Sequence, residues 1–460
     1  MAQGRKKAEP QQQGFWIATA ELPENTAHPF FSKVNEILKK HGFDKAVDEI
    51  AAPFYKEGGR PGIPVGDYFR MMMVGFFHDL GSEREIAWRV SDSISLRQFL
   101  GIGLTGRAPD HSSLSIIRHR LSKEAHEKAF QLILAILGQE GLLRGKTLGI
   151  DATTIEASAA LRELQRKDTK ERYGEYVKRL AEAAGEPSST PEEVAKFDRK
   201  RKGKKISNTD FSHPHDPDAR IGRDKHGATD MLYKMEKTDD LETGAIVSVT
   251  VQHADTGDTE SMAETLIQAE ENLAAVNERL KDTGSENINT EIQELIADKG
   301  YHSNETCKLA NEVHIRTYIS EPDRGRRDWT DKEEERLAVY ANRRRIRGDR
   351  GKRLRKLRAE HCERNFAHLC DTGGQRRTFL RGLVEVTKKA LIGAMGFNLG
   401  LLLRKLFGLR KPRQAGAHIG GLFLFFLLSI RHLLPVNRFF RPYIIQPAIF
   451  RNFGCLKCAC

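Results

Sequence analysis

The succession of helix-like and strand-like segments restricts the fold of this 460-residue chain more than any other feature. Residues 15–140 carry helix-like apolar patterns. Between residues 145 and 410 the segments are a strand, a helical stretch, a strand hairpin, a helix, two more strands and further helices. This order predicts an α/β domain with helices flanking a mixed sheet, preceded by an all-α domain.

The N-terminal domain is predicted to contain several short helices. The last of them is capped by Asp110 and carries Arg118 and Arg120 near its end. Short helices that finish with a basic one are typical of a helix-turn-helix-like DNA-binding module. An ordinary helical bundle with solvated arginines is the open alternative. The segments are Asp67–Phe77, Glu83–Val90, Ser93–Leu100 and Ser112–Leu121.

The second domain, residues 145–410, is interrupted by a stretch of different composition. Residues 156–205 are rich in Glu, Lys, Arg and Ala with helical spacing, which predicts a helical insertion ending in the basic run Arg199–Lys205. Strands are predicted at Gly145–Thr154, Met231–Lys237, Ala245–Gln252, Glu294–Asp298 and Arg316–Ile319. A helix is predicted from Asp258, as its cap, to about Leu280, and another over Leu383–Leu406.

The charge of the chain favours a polyanionic partner. The formal net charge is +12, and eleven lysines and arginines stand against three acids between residues 343 and 364. Binding to nucleic acid phosphates releases counterions, so such a run suits the DNA backbone. The apolar run Ile419–Ile430 is too short to span a bilayer, and no secretory signal is visible. We therefore expect a cytoplasmic protein that does not bind a membrane.

Two aspartates are assigned to strand ends, Asp151 after Leu-Gly-Ile and Asp298 after Leu-Ile-Ala. Strand ends are rigid places where solvent reaches a sheet, so functional groups gather there. Glu363, on a later helix, is a candidate third carboxylate. Converging carboxylates supply the hard oxygen ligands that Mg²⁺ prefers, and two such ions can catalyse phosphodiester cleavage. From the pattern alone, ordinary surface and capping acids remain the alternative.

Several blocks of the chain, up to about Arg413, closely resemble bacterial insertion-sequence transposases of the DDE class. These blocks are Phe54–Tyr55, Gly59–Pro64, Ser82–Arg89, Pro109–Ser115, Gly149–Thr154, Asp216–Arg220, Ala297–Ser303, Glu363–His368 and Thr372–Arg377. The resemblance implies an RNase H-like catalytic core and an N-terminal domain that binds inverted repeats. It also implies metal-dependent cleavage at those repeats, followed by attack of the freed 3′-hydroxyl on target DNA.

Carried onto this chain, the resemblance makes Asp151, Asp298 and Glu363 both the catalytic residues and the metal ligands. The cofactor is expected to be Mg²⁺, for which Mn²⁺ can substitute. The partner is double-stranded DNA, both the element ends and the target. Because two ends must be paired, we expect at least a homodimer in the active complex.

The assignment of the second and third acids has rivals. Asp255 and Asp258 compete with Asp298, but in an RNase H-like sheet the second acid follows the strand after the first crossover helix. Glu360 competes with Glu363, since it lies three residues earlier on nearly the same helical face. Many relatives carry Tyr, Arg and Lys around the third acid, whereas this chain has Lys356, Ala359 and Cys370 there.

The predicted DNA contacts are all basic and are Arg118, Arg120, Lys299, Arg343, Arg344, Arg345, Arg364, Arg376 and Arg377. Tyr301, close to Asp298, could either touch DNA or pack beneath the site. The polar loop with His213, His215, Asp216 and Asp218 has residue types that bind zinc, although such residues also suit an ordinary loop.

The two ends of the chain depart from this pattern. Residues 1–14 are predicted to be a disordered leader, and residues 411–460 form an atypical tail that is apolar, then basic, then cysteine-rich. Such a tail could come from a decayed copy of an element. Two alternatives to an active transposase therefore stay open. One is an inactive relic that binds DNA, and the other is an RNase H-like nuclease without strand transfer.

Overall fold

A computed structural model describes residues 28–410 and 412, apart from 57, 59–61, 104, 203–205, 225–226, 285–290, 324 and 326. The predicted leader, almost all of the tail and the run Ile419–Ile430 lie outside these residues. The described residues belong to one compact unit, Met1–Arg413.

The described N-terminal residues form helices joined by loops, and the four predicted helices are confirmed. Local capping fixes several of them: Ser82 and Glu85 form a capping box, and the Asp110 side chain accepts a hydrogen bond from Ser112 N. Whether two of these helices act as a helix-turn-helix stays a prediction. The helices are α1 (Pro29–Lys40), α2 (Phe43–Ala51), α3 (Val65–His78), α4 (Glu83–Asp92), α5 (Ile94–Phe99), α6 (His111–Arg120) and α7 (Lys123–Gln139).

A six-stranded mixed sheet follows, which confirms the α/β class. Its strands are β1 (Thr147–Glu156), β4 (Arg220–Arg223), β5 (Thr229–Asp240), β6 (Ile246–His253), β7 (Glu294–Ala297) and β8 (Arg316–Ile319). β1 lies between antiparallel β5 and parallel β7, β8 pairs in parallel with β7, and β4 and β6 both pair with β5. The predicted hairpin between β5 and β6 is thus confirmed.

The insertion is only partly helical. Helices α8 (Tyr173–Ala183) and α9 (Pro191–Lys200) are present, but β2 (Gln165–Arg166) and β3 (Phe211–Ser212) also pair as a small ribbon. The prediction from composition missed this ribbon because strands of two residues carry no readable alternation.

The helices around the sheet are α10 (Asp258–Thr283), α11 (Asn304–Glu312), α12 (Glu333–Arg347), α13 (Asp349–Phe366) and α14 (Leu383–Phe407). The predicted cap of α10 was wrong: Gly257 is the N-cap, and Asp258 is the first helical residue. The Asp258 carboxylate instead lies 2.6 Å from Lys234 Nζ. A charge-assisted hydrogen bond to a buried lysine stabilises this carboxylate more than a hydrogen bond to a backbone N–H at the helix start would.

Helix α14 passes through the middle of the hydrophobic core. Its residues pack against α3, α7 and β6 in one continuous cluster that runs from Phe30 to Leu403. By length and composition α14 could span a membrane, but 72% of its most apolar window is buried inside the protein, as expected for a core helix.

Candidate active site

Asp151 and Asp298 come together beside the end of β7. Asp298 follows that strand, as predicted, whereas the prediction that Asp151 ends a strand was wrong, because β1 continues past it to Glu156 along the longer strand β5. Gly149 of β1 pairs with Ile296 of β7. If this parallel register is extended by two residues along each strand, Asp151 lies beside Asp298. Asp298 starts a short 3₁₀ turn, and its Oδ1 accepts a hydrogen bond from Gly300 N at 2.8 Å. Burial raises the pKa of Asp151, and the nearby negative charge of Asp298 acts in the same direction.

Two cations lie beside Asp151, and neither was predicted from the sequence. Arg358 of α13 places its Nη1 3.4 Å from Asp151 Oδ2, while Asp151 Oδ1 accepts from Ala152 N at 3.0 Å. Lys237 is the cross-strand partner of Asp151 on β5 and is fully buried in an ion pair with Asp239. Both cations lower the pKa of Asp151, which offsets part of the effect of burial.

Glu363 lies on α13, the same helix as Arg358, but on an exposed part of its surface. The face of α13 that meets the sheet carries Leu354, Arg358 and Cys362. Among the described residues, no hydrogen bond or ion pair joins Glu363 to either aspartate. Its rival Glu360 is exposed too and lies 3.4 Å from Arg364 Nη1. The structure therefore assembles two of the three predicted carboxylates.

The donor set beside the end of β7 suits a hard divalent cation. Asp151 and Asp298 both offer carboxylate oxygens, and Mg²⁺ is often held by one or two carboxylates together with substrate phosphates. No cluster of three acidic, histidine or cysteine side chains with metal-binding geometry occurs in the described part of the chain. A metal here would thus rest on these two aspartates and on groups brought by DNA or by movement of α13.

The surroundings of Asp298 contain a further carboxylate, that of Asp258. Gly300 separates the two acids: a Cβ added to Gly300 would overlap Asp258 and lie 3.2 Å from Asp298 Oδ1. The other rival, Asp255, lies 3.8 Å from Arg220 Nε. Lys299 beside Asp298 is exposed, as a DNA contact requires.

Tyr301 packs beneath the site and is shielded from solvent. It is 1% exposed, and its hydroxyl donates a hydrogen bond to Glu236 Oε1 at 2.8 Å. Burial raises the pKa of Tyr301 far above its ordinary value, and Glu236 adds to the rise. Glu236 also accepts hydrogen bonds from Ser261 and Thr265, so this buried group ties β5 to α10.

The predicted DNA contacts of α6 differ sharply in position. Arg118 is 4% exposed, and its guanidinium pairs with Glu83 and Glu385, a geometry that favours a structural role over a DNA contact. Arg120 is exposed and stacks its guanidinium over the Tyr55 ring at 4.6 Å.

The remaining basic candidates are mostly held by neighbours. Arg343 pairs with Glu321 at 2.6 Å, and Arg345 donates to Thr317 O at 2.9 Å, whereas Arg344 is exposed. Further along the chain, Arg364 donates to His361 Nδ1 at 2.8 Å, Arg376 pairs with Asp371 at 2.7 Å, and Arg377 is exposed. Of the run Arg199–Lys205, residues 203–205 lie outside the described residues.

The polar loop around His213 anchors α14. Asp216 Oδ1 accepts from Tyr233 Oη at 2.5 Å and from Gly382 N at 3.2 Å, and Asp218 Oδ2 accepts from Leu383 N at 3.1 Å. These carboxylates satisfy backbone donors at the start of the helix, where negative charge is favourable. The residues of this loop therefore have a structural use that needs no zinc.

Two family models match the chain. Residues 19–120 match a transposase domain (DUF772), and residues 305–403 match a transposase DDE domain. The first match includes the basic helix α6, and the second includes Glu363 and all of α13. No curated protein and no solved structure gives a significant match.

Proposed function

Since both matches are transposase domains, the chain belongs to the DDE-class transposases of insertion sequences, and on that premise we propose that it cleaves its element at the inverted-repeat ends and joins the freed 3′ ends to target DNA. The observation that carries this proposal is the juxtaposition of Asp151 and Asp298 beside the end of β7, close to the basic helix α13. The strand order agrees with an RNase H-like core, in which the second acid follows the strand after the first crossover helix, here α10.

The proposed chemistry consists of two phosphoryl transfers. In the first, water attacks the phosphorus at the element end, the P–O3′ bond breaks, and a free 3′-hydroxyl results. In the second, this hydroxyl attacks a phosphorus in target DNA and the 3′ oxygen of the target strand leaves. Divalent cations, when bound, increase the nucleophilicity of the attacking oxygen and stabilise the leaving one.

In this scheme the protein supplies ligands and positions DNA. Asp151 and Asp298 hold metal through their carboxylates, and no covalent bond to DNA forms. Glu363 becomes the third ligand if α13 turns or moves toward the aspartates when DNA binds. Arg120, Lys299, Arg344 and Arg377 are exposed and contact phosphates without reading sequence. Pairing of two element ends requires at least two copies of the chain.

The proposal is tested by incubating the protein with Mg²⁺ and a labelled duplex that carries the inverted repeat flanking the gene. We expect cleavage at the repeat boundary, which is lost in Asp151→Asn and Asp298→Asn while binding is retained. The matched control is Asp255→Asn, a nearby exposed acid that should cleave normally. Binding without cleavage would instead indicate an inactive DNA-binding relic, and cleavage without joining would indicate a nuclease.

The third acid is tested by a second pair of variants on α13. Glu363→Gln should abolish cleavage, whereas Glu360→Gln should leave it within a few-fold of the wild type. The two positions are exposed on the same helix, so their effects on folding should be equally small. The reverse result would transfer the ligand role to Glu360.

A further inference from the structure

A cavity of about 330 Å³ lies where the N-terminal helices meet the 373–393 region. Its walls are mainly apolar and belong to α3, α4, α14 and the segment before α14. This volume is at the small end of the range for ligand pockets, so it suits one small ring system. The apolar lining residues are Met72, Phe76, Ile86, Leu380 and Ile392.

Gln375, one of the residues in the wall of this cavity, carries an unsatisfied polar atom. The residue is 4% exposed, and its Nε2 donates to Lys389 O at 3.0 Å, but its Oε1 has no hydrogen-bond partner among the described residues. A buried carbonyl without a donor costs about 1–3 kcal/mol, which a ligand N–H would recover. Lys389 also lines the cavity and donates to Arg377 O at 2.9 Å.

The surface beside the cavity has the composition of a nucleotide-binding surface. Phe379 lines the cavity, is 55% exposed, and has the Arg377 guanidinium 5.9 Å from its ring centre. Arg84 is exposed and lines the same cavity, and Arg381, also exposed, follows Phe379 by two residues. Aromatic faces for stacking, combined with arginines for phosphates, are what unpaired nucleotides require.

The cavity is connected to the candidate active site by β1. Glu156 N donates to Arg376 O at 3.0 Å, and Thr378 N donates to Glu156 O at 2.9 Å, so this segment extends the sheet beside the end of β1. Glu156 is five residues beyond Asp151, which corresponds to roughly 17 Å of strand. Phe379 lies two residues beyond Arg377, the residue that pairs with Glu156. At about 3.4 Å per nucleotide, a DNA strand covers the distance from Asp151 to Glu156 in about five nucleotides and the distance to Phe379 in about seven.

We propose that the cavity receives one unstacked base of the element-end DNA, five to seven nucleotides from the bond that is cut. This inference rests on the proposed function. Phe379 stacks on the extruded nucleotide, Gln375 Oε1 accepts a hydrogen bond from an N–H of the base, and Arg84, Arg377 and Arg381 contact the flanking phosphates. These contacts offset the few kcal/mol that unstacking costs.

The test is a 2-aminopurine scan through the element-end duplex, bound to the full-length protein in EDTA so that no cleavage occurs. We expect a several-fold rise in fluorescence at one or two positions in the stated window. Phe379→Ala, a change at an exposed position, should reduce the rise. Trp88→Ala removes a 78% exposed aromatic outside the cavity and should not.

An abasic duplex then tests Gln375 itself. Gln375→Leu should weaken binding to intact DNA by about tenfold, equivalent to ~1.4 kcal/mol. When the duplex lacks the base at the position where fluorescence rose, the variant and the wild type should bind it equally tightly. The cavity proposal alone is overturned if Gln375→Leu weakens binding to both duplexes equally. It is also overturned if no position shows a rise in fluorescence although the complex cleaves DNA when Mg²⁺ is added. Failure to bind the repeat at all overturns the proposed function as well.

Discussion

Replacing Arg118 by Met should destabilise the protein far more than replacing its neighbour Arg120. Arg118 is buried, donates to Glu83 Oε1 at 2.6 Å, pairs with Glu385 of α14, and accepts a hydrogen bond from Lys388 Nζ on its carbonyl oxygen. Methionine keeps most of the volume but leaves Glu83 without its cation and Glu385 with Lys388 alone. The change therefore disrupts the contact between α6 and the last helix of the fold.

The size of the effect follows from the geometry. Removing one member of a buried ion pair costs about 3–5 kcal/mol. Glu385 keeps Lys388 at 2.7 Å, so we expect the lower end, about 3 kcal/mol. Arg120→Met loses only an exposed cation–π contact with Tyr55, about 0.5–1 kcal/mol. Urea unfolding followed by circular dichroism measures both variants.

The same pair of variants separates a structural role from a DNA contact. Each phosphate contact contributes about 0.9 to the slope of log binding constant against log salt. Arg120→Met should reduce that slope by about one contact, whereas Arg118→Met, measured below its unfolding temperature, should leave it unchanged. The reasoning is refuted if Arg118→Met costs less than 1 kcal/mol or reduces the salt slope as Arg120→Met does.

Three further predictions concern other parts of the fold. Burial lowers the pKa of His126 from 6.5 to about 4, so the unfolded chain takes up a proton that the folded one does not. Stability should therefore fall by about 2 kcal/mol between pH 7 and pH 5, and His126→Asn should abolish this part of the pH dependence in urea unfolding. Arg358→Gln frees the Asp151 carboxylate, so calorimetric titration should give Mn²⁺ binding tighter by on the order of tenfold; equal or weaker binding contradicts the role of Arg358 as a competing cation. Gly351→Ala places a methyl group against the backbone of Arg345, which cannot move aside, and should cost about 1–3 kcal/mol in the same unfolding assay.

The elements of the fold could be predicted where their signals are local. Asp110 caps α6 because its side chain reaches a donor two residues away, and the β5–β6 hairpin follows from a short turn between alternating strands. Asp151 and Asp298 could be singled out because each directly follows a short apolar run, Leu-Gly-Ile and Leu-Ile-Ala. Such signals need no knowledge of distant parts of the chain.

The features that could not be predicted depend on distant residues. In the sequence, Arg118 resembles a surface arginine on a basic helix, whereas in the structure its pairs with Glu83, 35 residues away, and Glu385, 267 residues away, make it a core residue. Lys237 and Arg358 reach Asp151 through strand register and helix packing, neither of which a single sequence specifies. The exposure of Glu363 likewise depends on how α13 is rotated against the sheet.

The central position of α14 has a consequence for synthesis of the protein on the ribosome. The N-terminal helices, the last of which ends at Gln139, pack against α14, which ends only at Phe407. At roughly 5–20 residues per second, these helices emerge long before their partner exists, and their apolar faces stay uncovered for about 15–60 seconds. Translation products that stop before residue 383 never obtain this partner. We therefore expect nascent chains of this protein to bind holding chaperones, and we expect a premature stop late in the gene to yield insoluble protein instead of a shortened DNA-binding domain.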